Sequence, residues 1–170
     1  MLVFQNFYND NNMSFGKKKK SGKRAYTKEE RVIRREIKDA AKHHGWLDVY
    51  TGLQFTKINP PTIEHIVPYS LRNTHLYGKK FQLNGLDNLF PAGAWGNNKR
   101  ADERLAVTIL KQPNILDRLL IEMEKYEKYK CPLIDGKDWV KRIKSTILRE
   151  LEGICCDLST CKISFIKNIR

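Results

Sequence analysis

A chain of 170 residues with 41% hydrophobic content, seven Phe, seven Tyr and three Trp has enough apolar surface for one packed domain, which excludes whole-chain disorder. Its formal net charge of +13 attracts polyanions over several ångströms and makes their association fast and salt-dependent. An acidic membrane is the rival partner. The sequence has neither an apolar run of about 18 residues nor a basic amphipathic helix with a wide apolar face, so nucleic acid is expected and a membrane is not.

Residues 1–26 read as a basic disordered arm. Asn6, Asn9, Asn11 and Asn12 open it, and Met13 is an alternative start. Lys17, Lys18, Lys19, Lys20, Lys23 and Arg24 then stand among Gly and Ser. Like charges this dense repel one another and resist burial until they meet phosphate. Met1-Leu2-Val3-Phe4 is too short, and lacks the basic start, for a secretory leader. An intracellular site (cytoplasm or nucleus of the host) is therefore expected, with reduced thiols.

Residues 27–160 read as one domain. Thr27-Lys28-Glu29-Glu30 is a capping box, and Ile33, Ile37, Ala40 and Ala41 follow at helical spacing up to Gly45. Arg31, Arg34, Arg35, Lys38 and Lys42 cover the other face, and Arg31, Arg34 and Arg35 are expected to meet nucleic acid. His43 and His44 diverge by about 100° and suit the helix C-terminus better than a shared metal. From Trp46 to Pro91 the pattern is short strands and loops: a turn at Tyr50-Thr51-Gly52-Leu53, a strand over Thr62–Val67, and a polar connector over Arg72–Leu86 that contains His75. Beyond Pro91 three helical stretches follow, on Ala101, Leu105 and Ile109, on Leu116, Leu119, Leu120 and Met123, and on Trp139, Ile143, Ile147 and Leu151, the last closed by Gly153. Residues 161–170 read as a tail. Cys131, Cys155, Cys156 and Cys161 lack the paired Cys-x-x-Cys spacing of a zinc knuckle, and idle or buried thiols are expected.

The chemistry concentrates between these regions. Glu64-His65 lies within Pro61-Thr62-Ile63-Glu64-His65-Ile66-Val67-Pro68. Further on comes Asn88-Leu89-Phe90-Pro91-Ala92-Gly93-Ala94-Trp95-Gly96-Asn97-Asn98-Lys99-Arg100. Phosphodiester hydrolysis needs a deprotonated water and positive charge on the phosphorane and leaving 3′-oxygen. Neutral histidine suits the first task and a divalent cation the second. Glu64 offers a carboxylate oxygen and Asn97 or Asn98 an amide oxygen. Neighbours on a strand point to opposite faces, so Glu64 and His65 serve one site only where the strand ends or bends. Taken singly, His65 reads as a half-buried histidine and Glu64 as a surface acid; their combination with the asparagines and the basic flank points to catalysis.

Over residues 50–105 these motifs resemble the HNH, or His-Me finger, nucleases, in particular the HNH domains of CRISPR-guided and restriction enzymes and, through Asn88-Leu89-Phe90-Pro91-Ala92 with Asn97-x-x-Arg100, the bacterial endonuclease I family. The resemblance implies an α+β fold with a ββα-metal core at about 50–110, flanked by α-helices at 111–153. It implies that His65 is the general base, that Glu64 and Asn97 bind metal, and that Asn88 pins the loop by backbone hydrogen bonds. Arg100 is then the candidate clamp on the scissile phosphate. Arg72, Lys79, Lys80 and Lys99 border the site and are candidates for phosphate contact. Asparagine stands where many HNH proteins have a final histidine, which favours Mg²⁺, with Mn²⁺ as a substitute, over zinc. The flanking Cys pairs of many relatives are missing. The activity implied is DNA endonuclease, on double-stranded substrate. The alternatives are a non-catalytic DNA-binding protein on the same scaffold and an RNA-directed nuclease.

Overall fold

The computed structural model describes residues 26–68, 71, 83–100 and 102–154. The arm expected over 1–26 falls outside them apart from Tyr26, as do most of the connector, three of the four cysteines and the tail. Among the described residues the chain is a mixed α+β fold of five α-helices and two small antiparallel sheets.

Helix α1 (Lys28–His43) starts at the expected capping box: Thr27 Oγ1 accepts from the Glu30 amide at 3.1 Å, and Glu30 Oε2 accepts from the Thr27 amide at 2.8 Å. It ends before Gly45, whose φ of 64° is open to a residue without Cβ. Its buried stripe is Ile37, Ala40 and Ala41. Strand β1 (Pro61–His65) pairs antiparallel with β2 (Leu89–Gly93), Glu64 opposite Phe90 and His65 opposite Leu89. The strand was expected to run to Val67. It stops two residues earlier because Ile66 and Val67 bend away to bond Asn88. Pro91 is a strand residue, which a two-stranded sheet tolerates because both strands are edges.

Helix α2 (Ala94–Arg100) follows β2 without a loop. The apolar row through Ala101, Leu105 and Ile109 was expected on one helix. The chain instead breaks after Arg100 and restarts as α3 (Leu105–Lys111), whose first amide bonds the carbonyl of Ile66 at 3.1 Å. Helix α4 (Asn114–Tyr126) and α5 (Gly136–Ile154) complete the helical part. Between them lies a small hairpin, β3 (Lys130–Cys131) with β4 (Ile134–Asp135), that the sequence pattern did not indicate. Gly153 falls inside α5.

The core joins both parts. Trp46, Tyr126 and Trp139 are all buried, with ring centroids 4.5 Å apart for Trp46 and Tyr126 and 5.2 Å for Tyr126 and Trp139. Trp139 Nε1 donates to the Leu89 carbonyl at 3.0 Å, tying α5 to β2. Ile143, Ile147 and Leu151 continue that stripe, and each such side chain contributes about 1.5–3 kcal/mol of burial.

Candidate functional site

The site is built on two short strands and a seven-residue helix, elements too small to hold one another by apolar burial alone. Buried side-chain polar groups supply the rest. Asp48, fully buried, accepts from the amides of Gly93 (2.9 Å) and Tyr50 (3.2 Å), from Thr51 Oγ1 (2.8 Å) and from Asn59 Nδ2 (3.3 Å). Asn59 Oδ1 in turn accepts from the Trp95 amide at 3.0 Å, fixing the first turn of α2. The backbones approach so closely that a Cβ at Gly93 would fall 2.5 Å from Asp48 Oδ2. One at Gly96 would fall 2.2 Å from Tyr50 Cδ2. Both glycines are needed to let α2 lie against the 48–59 segment.

Asn88 closes the opposite end. It is the last residue of a 3₁₀ turn (Leu86–Asn88) that precedes β2, one position before the strand that was expected to carry it. Its Oδ1 accepts from the Val67 amide at 2.8 Å, and its Nδ2 donates to the carbonyls of Val67 (3.1 Å) and Leu83 (2.8 Å). Its own carbonyl accepts from Ile66 at 3.0 Å. One residue therefore pins both ends of the long connection between β1 and β2.

Strand alternation sorts the remaining side chains. Helix α2 covers the face of β1 that carries Thr62 and Glu64: Asn97 Nδ2 donates to Thr62 Oγ1 at 2.9 Å and to the Ile63 carbonyl at 3.2 Å. The Asn97 amide nitrogen is thus engaged by β1, and Oδ1 is the end suited to a cation. Asn98, next in the chain, is exposed. Glu64 is buried; Oε1 accepts from the His65 amide at 3.1 Å and pairs with Arg100, while Oε2 has no hydrogen-bond partner.

Arg100 was expected to face a phosphate. Its guanidinium instead turns inward, with Nη2 on Glu64 Oε1 and the His65 carbonyl and Nη1 on the Glu103 carbonyl at 2.5 Å. Burial pulls its pKa down. His65 is the last residue of β1, where the chain bends away from the strand to bond Asn88, and its Nε2 is 3.5 Å from Asn84 Oδ1. The structure therefore brings Glu64, Asn97 and Arg100 together and sets the His65 ring beside Asn84.

Of the residues expected on nucleic acid, Arg31 and Arg35 are exposed on α1 and Lys99 on α2. Arg34 stacks over the Tyr26 ring at 4.5 Å. Lys17, Lys18, Lys19, Lys20, Lys23, Arg24, Arg72, Lys79 and Lys80 lie outside the described residues. Among the described residues no group of three or more His, Cys, Asp or Glu side chains converges to hold a metal. No described helix is long and apolar enough to cross a membrane.

The sequence reading missed Asp48, Asn59, Asn84 and the exposed Trp95. Asp48 had a signal, an Asx residue opening the Tyr50-Thr51-Gly52 turn. The others had none. Compared with protein-family models, with curated proteins and with solved structures, the chain finds no match in any of the three.

Proposed function

We propose that this protein is an endonuclease of the HNH, or His-Me finger, type that hydrolyses DNA phosphodiester bonds with Mg²⁺ or Mn²⁺, using β1, β2 and α2 as a ββα-metal core. The observation that carries this reading is the buried Glu64, with one carboxylate oxygen unpartnered, on the face of β1 that Asn97 covers. A buried carboxylate oxygen left without a donor is costly unless something positive meets it. Two hard oxygen donors suit a small divalent cation that keeps water. Held there, the cation would supply positive charge to the phosphorane and the leaving oxygen.

The chain's own groups do the rest. His65 takes the proton from the attacking water, and Asn84 orients the ring. Asn88 fixes the backbone behind His65. Arg100 is a positioning residue: it holds Glu64 Oε1 and the His65 carbonyl on one guanidinium nitrogen. The exposed cations of α1 and Lys99 meet the phosphates of the substrate.

A non-catalytic DNA-binding protein on the same scaffold is favoured by one observation, that Arg100 already neutralises part of Glu64. Incubating supercoiled plasmid with the protein and Mg²⁺ or Mn²⁺ separates the two. The nuclease nicks or linearises it, leaves 5′-phosphate and 3′-hydroxyl ends, and stops when EDTA is added. Binding without any cutting, with RNA as well as DNA, means the scaffold binder instead.

A further inference from the structure

The outer face of α2 carries a surface of which the catalytic reading uses only Lys99. Trp95 is 56% exposed, whereas Trp46 and Trp139, the other two tryptophans of the chain, are buried. Asn98 and Lys99, three and four residues on, share its helix face and are exposed. Asn97 is turned about 200° from Trp95, toward β1.

The backbone that carries the ring is anchored. The Trp95 amide is held by Asn59 Oδ1, the Ala94 amide by the Pro60 carbonyl at 3.1 Å, and Gly96 is pressed on Tyr50. Beside that anchor stand Lys57, exposed, and Ile58, 76% exposed. A large flat ring held in water loses contact energy with nothing gained for the fold. An exposed aromatic face on an anchored turn with cations nearby is complementary to a base with its phosphates, because every base offers a π-face and no particular hydrogen bonds are required. A second copy of this chain fits poorly, since a self-complementary contact would bring Lys57 and Lys99 of two molecules, each carrying a net charge of +13, face to face.

The geometry points to Trp95 as a stacking site for an unpaired base of the nucleic-acid strand, about one helix diameter (~10 Å) from Asn97. This rests on the proposed function. It deepens that reading by giving the enzyme a preference for strands with an unpaired base, at an end, a mismatch or a single-stranded stretch, over continuous duplex.

The test uses the full chain in EDTA, so that nothing is cut. An unlabelled single-stranded oligonucleotide is titrated in while tryptophan emission and its quenching by iodide are read, and the same is done with its duplex. Because the other tryptophans are buried, the part of the emission that iodide can quench reports on Trp95. The single strand should quench emission and shield the ring from iodide. Trp95→Ala should weaken single-strand binding by roughly five- to a hundred-fold, leaving the salt dependence and duplex binding unchanged, and Trp95→Phe should retain most of the affinity. An alanine variant that binds single strands as tightly as the parent overturns the proposal. So does emission that changes with protein concentration alone, in step with dimer formation. Plasmid cleavage without quenching would leave the nuclease and remove the stacking site; quenching without cleavage would do the reverse.

Discussion

The segment from Asp48 to Arg100 and the helices from Leu105 to Leu151 bury polar groups in different ways. Of the ten buried polar or charged residues among those described, Asp48, Asn59, Glu64, His65, Asn88 and Arg100 fall in the first, and Thr108, Glu122, Thr146 and Glu150 in the second. In the first group Asp48 bonds Asn59 and Glu64 pairs with Arg100, and five of the six fix backbone through side-chain bonds. The second four are scattered over a core of Leu, Ile and aromatic side chains, and of them Glu122 alone reaches distant backbone, accepting from the Leu47 amide at 2.8 Å. A helix satisfies its own backbone and needs only an apolar stripe to dock. Two five-residue strands cannot do this, so side chains must set their spacing. The polar network is what gives the strand segment one geometry.

The largest effect expected from breaking that contrast is on rate. His65→Ala should lower cleavage by about two to four orders of magnitude, the range for losing a general base, with DNA affinity nearly unchanged. Wild-type cutting by this variant would remove His65 from the mechanism. Stability gives the next test. Arg100→Ala leaves Glu64 buried and unpaired and should cost about 3–5 kcal/mol in urea unfolding. Leu119→Ala in the helical core should cost a similar 2–5 kcal/mol through its cavity. The two differ in repair. Adding Glu64→Gln should recover part of the Arg100→Ala loss, since no buried charge remains, and should do nothing for Leu119→Ala.

The same contrast decides what was legible in the sequence. Helix α1 was readable down to its capping box, because the Thr27 and Glu30 spacing and the Ile37, Ala40 and Ala41 stripe are local signals. The stripes of α4 and α5 were readable for the same reason. The break at residues 102–104 was not, because Ala101, Leu105 and Ile109 keep helical spacing across it; the restart is set by the Leu105 amide bonding Ile66, a tertiary contact. At the site, Asn97 and Asn98 could not be told apart by periodicity, and the structure separates them by which amide meets β1. The inward turn of Arg100 depends on a partner 36 positions away, which no local pattern carries.

A smaller effect should distinguish the helical layer by pH. Glu150 is buried on α5, its Oε2 lacks a hydrogen-bond partner, and Arg104 Nε stands 3.8 Å away. Burial raises its pKa from 4.5 to about 7. Below about pH 4.5 the group is protonated in both folded and unfolded chains and costs nothing. As pH rises toward 7 the unfolded chain releases the proton first, so stability falls through that window and stays reduced above it. Glu150→Gln keeps the shape and removes the titration. The variant should match the parent near pH 4 and exceed it near pH 8 by on the order of 1–3 kcal/mol. Parallel stability curves across that range would mean the carboxylate is not held in the interior.

The smallest change is expected one residue from one of the most consequential. Asn97 donates through Nδ2 to Thr62 Oγ1 and the Ile63 carbonyl, whereas Asn98 is exposed on the outer face of α2. Asn97→Ala should cost about 1–2 kcal/mol for the hydrogen bonds lost and abolish Mg²⁺-supported cleavage, because the amide oxygen proposed to meet the cation leaves with it. Asn98→Ala removes a solvated side chain and should stay within about 0.5 kcal/mol of the parent, with cleavage close to the parent's. Measuring both variants by urea unfolding and by plasmid nicking separates the amide's two tasks, since losing the anchor moves stability and losing the oxygen moves the metal requirement. Were Asn98→Ala the variant that stops cleavage while Asn97→Ala cuts normally, the metal-facing side of α2 would be shifted by one residue, and the assignment of Asn97 would fall with it.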